Sequence, residues 1–245
     1  MIDPHALMKR YFQAFLGHLV PGFIHNINSP LQVLGFALEF VEQDLKEQSE
    51  TEKVMERIDT AKNQARALSE MVKDMRTLER MGTAEEPVIV GDALRILERV
   101  LMCDLFCKHN VRLEVQIDPA VGTVQINGAF TVPAICELLR NSLTALQVVE
   151  SRNLIIKAYA ENEITCLEVT DTGCGLPEDI APEDLFEPGV SAWPEGIRQT
   201  VGYGFPGMGL YCVKEILKAD GCNIKLFGKD GFTTARIELP SGMAR

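Results

Sequence analysis

The 245-residue sequence lacks any uninterrupted apolar stretch of the ~18 residues that a membrane-spanning helix requires. Its richest apolar region, Phe12 to Phe40, is broken by His18, Pro21, Gly22, Asn26, Asn28 and Pro30. The opening Met1-Ile2-Asp3-Pro4-His5 lacks the basic and then apolar character of a secretory signal, so the expected compartment is the cytoplasm. Cysteine pairs are missing too. Seven cysteines, an odd number, are scattered without a Cys-x-x-Cys, and no histidine stands at finger-like spacing from Cys103 and Cys107, the two that can share a helical face. They read as small buried hydrophobes. Positive charge is scarce: 24 basic residues against 35 acidic ones leave a formal charge of −11. A nucleic-acid partner, which draws on Lys and Arg, is not expected, and a phosphorylated ligand would have to be neutralised locally by a metal ion and backbone N–H groups. Internal repeats and low-complexity tracts are absent.

What is present divides into two architectures. Asp3-Pro4 is a sound helix start, an N-cap acceptor followed by a residue that needs no N–H in the first turn. Phe12, Leu16, Leu19, Phe23, Ile27, Leu31, Leu34, Leu38, Val41 and Leu45 then recur at mostly alternating three- and four-residue steps, a narrow bundle-type seam. Ser49-Glu50-Thr51-Glu52 has the form of a capping box. The helix it starts repeats the seam through Val54, Ile58, Ala61, Ala65, Leu68, Val72, Met75 and Leu78. Two antiparallel helices with one stripe each cannot bury those stripes fully against one another. The pattern therefore predicts a homodimer in which two hairpins form a four-helix bundle.

Residues 1–82 are the expected helical hairpin, 83–87 a linker, and 88–245 a second domain of mixed pattern. In that domain Val90 to Cys107 reads as a helix, Val111 to Ile117 as a strand and Val132 to Val149 as a helix. Leu154 to Ala160 pairs with Ile164 to Thr170 across Glu161-Asn162, Gly209 to Ala219 is helical, and Asn223 to Phe227 with Thr233 to Leu239 closes the chain as a hairpin. One antiparallel or mixed sheet with helices on one face makes an α+β sandwich.

Chemistry-bearing residues cluster in both parts. His25 lies two residues from both Phe23 and Ile27, which at 100° per residue puts it opposite the seam and in solvent, with Asn28 and Ser29 stacked beside it. Pro30 removes an N–H and crowds the preceding turn, so the helix should loosen just after the histidine, and Pro21-Gly22 weakens the turn before it. In the second domain, Glu137 and Asn141 are four apart on one helix and share a face. Asp171-Thr172-Gly173-Cys174-Gly175-Leu176-Pro177 directly follows a strand, and glycines at 173 and 175 let the backbone turn tightly and approach a flat ring. Asp184-Leu185-Phe186-Glu187-Pro188 follows, then Gly202-Tyr203-Gly204-Phe205-Pro206-Gly207-Met208-Gly209-Leu210 leading into a helix. The N-terminal amides and dipole of that helix suit an anion such as phosphate. This is neither the P-loop nor the Rossmann design, because no G-x-x-x-x-G-K-S/T occurs and Gly207 and Gly209 come last in the domain.

The run from Leu16 to Leu31 resembles the phosphoacceptor segment of two-component sensor histidine kinases, whose usual form is H-E-x-x-N/T-P-L. The later patches resemble, in order, that family's N-box, its D-x-G-x-G loop, its F-box and its second glycine loop, on an ATP-binding fold shared with type II topoisomerases. The resemblance implies that His25 accepts phosphate from ATP and passes it to an aspartate of a response-regulator receiver domain. Asn26 stands where the family has Glu or Asp beside the histidine, and Ser29 where it has the Thr or Asn that positions water for dephosphorylation. By the same resemblance Asn141 coordinates Mg²⁺ through its amide oxygen, Glu137 orders a water or the attacking imidazole, and Asp171 accepts the adenine amino group. Gly173, Gly175, Gly207, Gly209 and Leu210 line the nucleotide, and a threonine of the closing strands, Thr234, reaches the adenine pocket. Phe205 replaces the first glycine of the family's G-x-G-x-G-L, and Arg198 is a candidate phosphate contact. Asn26 and Phe205 also leave open a degenerate kinase that docks a regulator or relays phosphate without efficient autophosphorylation.

Overall fold

The computed structural model describes residues 3–162, 164–193, 197 and 205–239. Asp3 caps α1 (Pro4–Lys46) by accepting the His5 amide, with Pro4 in the first turn. The helix runs unbroken through Pro21 and Pro30. A short turn leads to α2 (Thr51–Met81), and the two helices pack as an antiparallel hairpin. The expected capping box does not form: Glu50 occupies the N-cap without a side-chain bond, and the Ser49 hydroxyl donates to Asp44 instead. Asp44 is buried at this turn and takes Lys53 at 2.6 Å, so the apolar stripe ends on an ion pair that ties the two helices.

The helical hairpin is followed by the second architecture, an α/β sheet domain. β1 (Pro87–Ile89) and β3 (Gln125–Asn127) form a small antiparallel pair, and a five-stranded mixed sheet runs in the order β2 (Arg112–Ile117), β4 (Asn153–Glu161), β5 (Ile164–Asp171), β7 (Phe232–Leu239), β6 (Asn223–Lys229). Only β2 and β4 are parallel. The single helix expected from Val90 to Cys107 is two, α3 (Val90–Leu101) and α4 (Leu105–Asn110). Asp104 breaks the run by capping α4, its carboxylate accepting the Cys107 amide. With α5 (Gly128–Leu146) and α6 (Gly209–Ala219), the helices bury their apolar sides against the sheet.

The seam of α1 is shared between two surfaces. Leu7, Met8, Tyr11, Phe12, Phe15 and Leu19 are buried in the same apolar core as α3, α5 and α6, so the first turns of the helix pack on the sheet domain as well as on the end of α2. Farther on, the buried positions are Pro30, Ala37 and Asp44, while Ile24, Leu31, Leu38 and Leu45, a strict heptad, face outward. The hydrophobic core therefore crosses the expected linker. Gly82, at the end of α2, lies where a Cβ would come within 2.4 Å of the Phe12 ring.

Candidate functional site

A cavity of about 490 Å³ opens between α5, the ends of β5 and β7, and the start of α6. That volume lies in the range of small-molecule sites. Asp171 ends β5 at its wall and is buried. One carboxylate oxygen accepts the Ser142 hydroxyl at 2.7 Å and the other the Gly173 amide at 2.9 Å. Burial raises its pKa, and the two hydrogen bonds only partly offset that. Ser142 comes from α5, one residue beyond Asn141, so the helix that carries the polar cluster also aims the carboxylate.

Asn141, Gly175, Gly207, Gly209 and Leu210 line the cavity. Gly175 and Gly207 have φ of +81° and +74°, which only glycine adopts freely. Gly173 does something other than face a ring: its missing Cβ would sit 2.4 Å from the Ala145 methyl, so it lets the loop close onto α5. Thr234 faces the opposite side of β7, its hydroxyl 3.0 Å from that of Thr170, and the neighbouring Thr233 is the threonine at the cavity wall. Phe186 is buried in the apolar core on a 3₁₀ turn (Asp184–Phe186), while Leu185 beside it reaches the cavity. Arg198 and Gly202 to Gly204 lie outside the described residues.

Glu137 is buried, and both its carboxylate oxygens are held by Arg140 one turn on, at 2.8 and 2.5 Å. A Cβ on Gly209 would lie 2.0 Å from Glu137 Oε1, so the first residue of α6 rests directly on this pair. Glu137 would have to leave Arg140 before it could order a water or an imidazole. Arg140 was not singled out from the sequence, yet it is the one cationic side chain lining the cavity among the described residues. Its position one residue before Asn141 was the available signal. Among the described residues no group of three His, Cys, Asp or Glu side chains could hold a metal ion. The Asn141 amide oxygen accepts Arg140 Nη2 at 3.3 Å, and a hard dication would fit there, together with phosphate oxygens, once the guanidinium has moved off it.

Residues 129–243 match the family described as histidine kinase-, DNA gyrase B- and HSP90-like ATPases. Over 232 residues the chain is 24% identical to the sensor protein FixL of Bradyrhizobium diazoefficiens, covering 92% of this chain and 44% of that protein. It is 25% identical to the autoinducer 2 sensor kinase/phosphatase LuxQ of Vibrio parahaemolyticus over 88% of this chain and 25% of the relative. Residues 129–243 are thus a domain of that ATPase family, and the chain as a whole is similar to two-component sensor kinases. The chain spans less than half the length of these curated relatives. In fold, the chain is similar to the catalytic domain of the histidine kinase ThkA, with a TM-score of 0.52 at 18% identity over 64% of this chain and 95% of that one. Full-length ShkA in complex with AMPPNP gives 0.50 at 21% identity, over 86% of this chain and 46% of the other.

The phosphoacceptor candidate and the cavity stand apart. His25, Asn28 and Ser29 are exposed side by side on α1. Tyr11, on the same helix, lines the cavity. The 14 helical steps from Tyr11 to His25 span about 21 Å, so His25 is not brought to the cavity in this arrangement. A clasp holds the helix here. The Asn26 amide donates to the Met102 carbonyl at 2.9 Å and accepts Lys108 Nζ at 2.7 Å, and His18 Nε2 lies 3.0 Å from the buried Asp104 carboxylate. The hydrogen bond with Asp104 raises the His18 pKa; burial pushes Asp104 up, but its bonds from His18 and Cys107 leave it lowered. Gly22 fits against the Cys103 carbonyl so closely that a Cβ would be 1.8 Å from the oxygen. From α2, Asp74 takes a two-pronged bond from Arg99 of α3 at 2.6 and 2.8 Å.

Proposed function

We propose that this chain transfers the γ-phosphoryl group of ATP to His25 and from there to an aspartate of a response-regulator receiver domain, as a homodimer in the cytoplasm. The functional units are the hairpin of residues 1–82, a linker at 83–87 and the ATP-binding domain of residues 88–245. The reading is carried by the presence, in one chain, of an exposed His25 followed by Asn28-Ser29-Pro30-Leu31 and a cavity lined by Asn141, Asp171, Gly175, Gly207 and Gly209. Asp171, preset by Ser142 and Gly173, selects adenine through its amino group. Arg140 and the first amides of α6 neutralise the phosphates, and Asn141 holds the Mg²⁺ that supplies further charge stabilisation. In the transfer, an imidazole nitrogen of His25 forms the N–P bond as the bond to the bridging oxygen of ADP breaks. The imidazole proton leaves to water or a nearby base. The clasp at Met102 to Lys108 must first open, because His25 lies ~21 Å along α1 from the cavity-lining Tyr11 and reaches the cavity only if the two parts move relative to one another. Once Asn26 is released its amide can orient the imidazole, and the exposed Ser29 hydroxyl stands where it could position water to hydrolyse the regulator's phosphoaspartate.

One observation favours a second reading, a module that docks a regulator or relays phosphate without efficient autophosphorylation: the side chain beside His25 is committed to the sheet domain by both its donor and its acceptor. Incubation with radiolabelled ATP and Mg²⁺ separates the two. The kinase reading expects an acid-labile label on the wild type, none on His25→Gln despite retained nucleotide binding, and no nucleotide binding by Asp171→Asn. Nucleotide binding without label on the wild type would favour the module, and label persisting on His25→Gln would contradict both.

A further inference from the structure

The cavity is not walled by the sheet domain alone. Tyr11, near the start of α1, is 3% exposed and lines it beside Glu137, Arg140 and Gly209. Its hydroxyl donates a 2.9 Å hydrogen bond to the Phe205 carbonyl. The same carbonyl accepts the Met208 amide, so it forms the corner of the turn that delivers the chain into α6 at Gly209. Gly209 in turn sits on Glu137. The hairpin helix, the helix of the polar cluster and the α6 N-terminus therefore converge on one phenol. Burial first, and the Glu137 carboxylate second, push its pKa to about 12, so the hydroxyl stays a donor throughout the neutral range.

We propose that Tyr11 is a positioning residue for the phosphate end of the nucleotide, contributed by the helical hairpin. It fixes the Phe205–Met208 turn, and through it the first amides of α6, where phosphate oxygens have to be met. The proposal rests on the reading of the cavity as an ATP site and adds a consequence to it. Tyr11 acts only while α1 is docked, so the docked chain binds triphosphate more tightly, and by linkage a bound triphosphate strengthens docking by the same factor. Phe12 and Phe15 fill the same interface with no polar group. If Tyr11 were only another packing residue, its directional bond to residue 205 would carry no consequence for ligand.

Tyr11→Phe keeps the ring and removes the donor. Calorimetric titration of the full chain with adenosine, and separately with Mg²⁺ and a non-hydrolysable ATP analogue, reads the effect. The expected result is a triphosphate affinity about fivefold weaker, the loss of one buried hydrogen bond to the turn. Adenosine affinity should be unchanged, because Ser142 and Gly173, not Tyr11, hold Asp171. Tyr11→Leu, which also removes the ring, should weaken the triphosphate further. Equal triphosphate affinity in wild type and Tyr11→Phe would overturn the assignment, as would an equal loss for both ligands, which is the mark of general loosening. A wild type that binds neither ligand would overturn the ATP reading and this proposal together, whereas normal wild-type binding with an indifferent Tyr11→Phe would overturn the proposal alone.

Discussion

The two halves of α1 carry similar apolar periodicity and do different things with it. From Leu7 to Leu19 the stripe is swallowed by the core of the sheet domain, and Phe12 and Leu19 are among its most completely buried side chains. From Ile24 onward the helix turns Pro30, Ala37 and Asp44 inward against α2 and leaves Ile24, Leu31, Leu38 and Leu45 in solvent at seven-residue intervals. His25 and the clasp residue Asn26 stand at the junction. Periodicity specifies that a face will be buried, but the partner is set by whichever surface presents complementary shape, here the α3–α4 turn that accepts Gly22. An exposed heptad stripe on a long helix is what a second hairpin would cover, which supports the proposed four-helix bundle.

The contrast can be broken at either end. Leu38→Glu places a charge in the middle of the outward stripe, and the dimer is expected to dissociate at least about a hundredfold more readily, read by sedimentation, with the catalytic domain intact. A wild type that is monomeric at high concentration would remove the dimer from the account. Phe12→Ala attacks the docked half. It leaves a cavity against Gly82 and should cost about 3–5 kcal/mol of stability in denaturant titration, with no effect on dimerisation of the outer stripe beyond that loss. Gly22→Val should force α1 off the Cys103 carbonyl and speed hydrogen exchange at residues 102–108 about tenfold or more, without reaching Leu31 to Leu45.

The smallest effect is expected from pH. Because the Asp104 bond raises the His18 pKa, the ion pair is fully formed below the imidazole's ordinary value of 6.5 and is lost as pH climbs through the raised value. The His18 side chain is 49% exposed, so its contribution stays under about 1 kcal/mol. Protection of residues 104–110 should therefore fall severalfold as pH rises above that range, and His18→Gln should flatten the dependence.

Much of this molecule could be read from its sequence where local chemistry decides. Asp3-Pro4 starts α1 as expected, Gly209 to Ala219 is a helix to the residue, and Glu137, Asn141, Asp171, Gly175, Gly207 and Gly209 gather around one cavity. The misreadings all arise where a distant residue decides. Ser49 is drawn from its capping role by Asp44 across the hairpin turn. Met102 to Asp104 break a periodic helix because Asp104 both caps α4 and meets His18. Gly173 answers to Ala145, and Thr234 exchanges places with Thr233 because strand alternation relative to the sheet faces could not be fixed from that hairpin alone. Arg140 and Tyr11 carry no motif. They matter because α5 and α1 bring them beside Gly209.

The most direct test is to localise the phosphate by mass spectrometry of the ATP-treated chain, digested and separated at neutral pH, where phosphoramidate survives. The account expects a single modified peptide carrying the phosphate on His25, absent when Asp171→Asn is treated in the same way. Phosphate on a serine, on His18, or nowhere in a chain that demonstrably binds the nucleotide would contradict it.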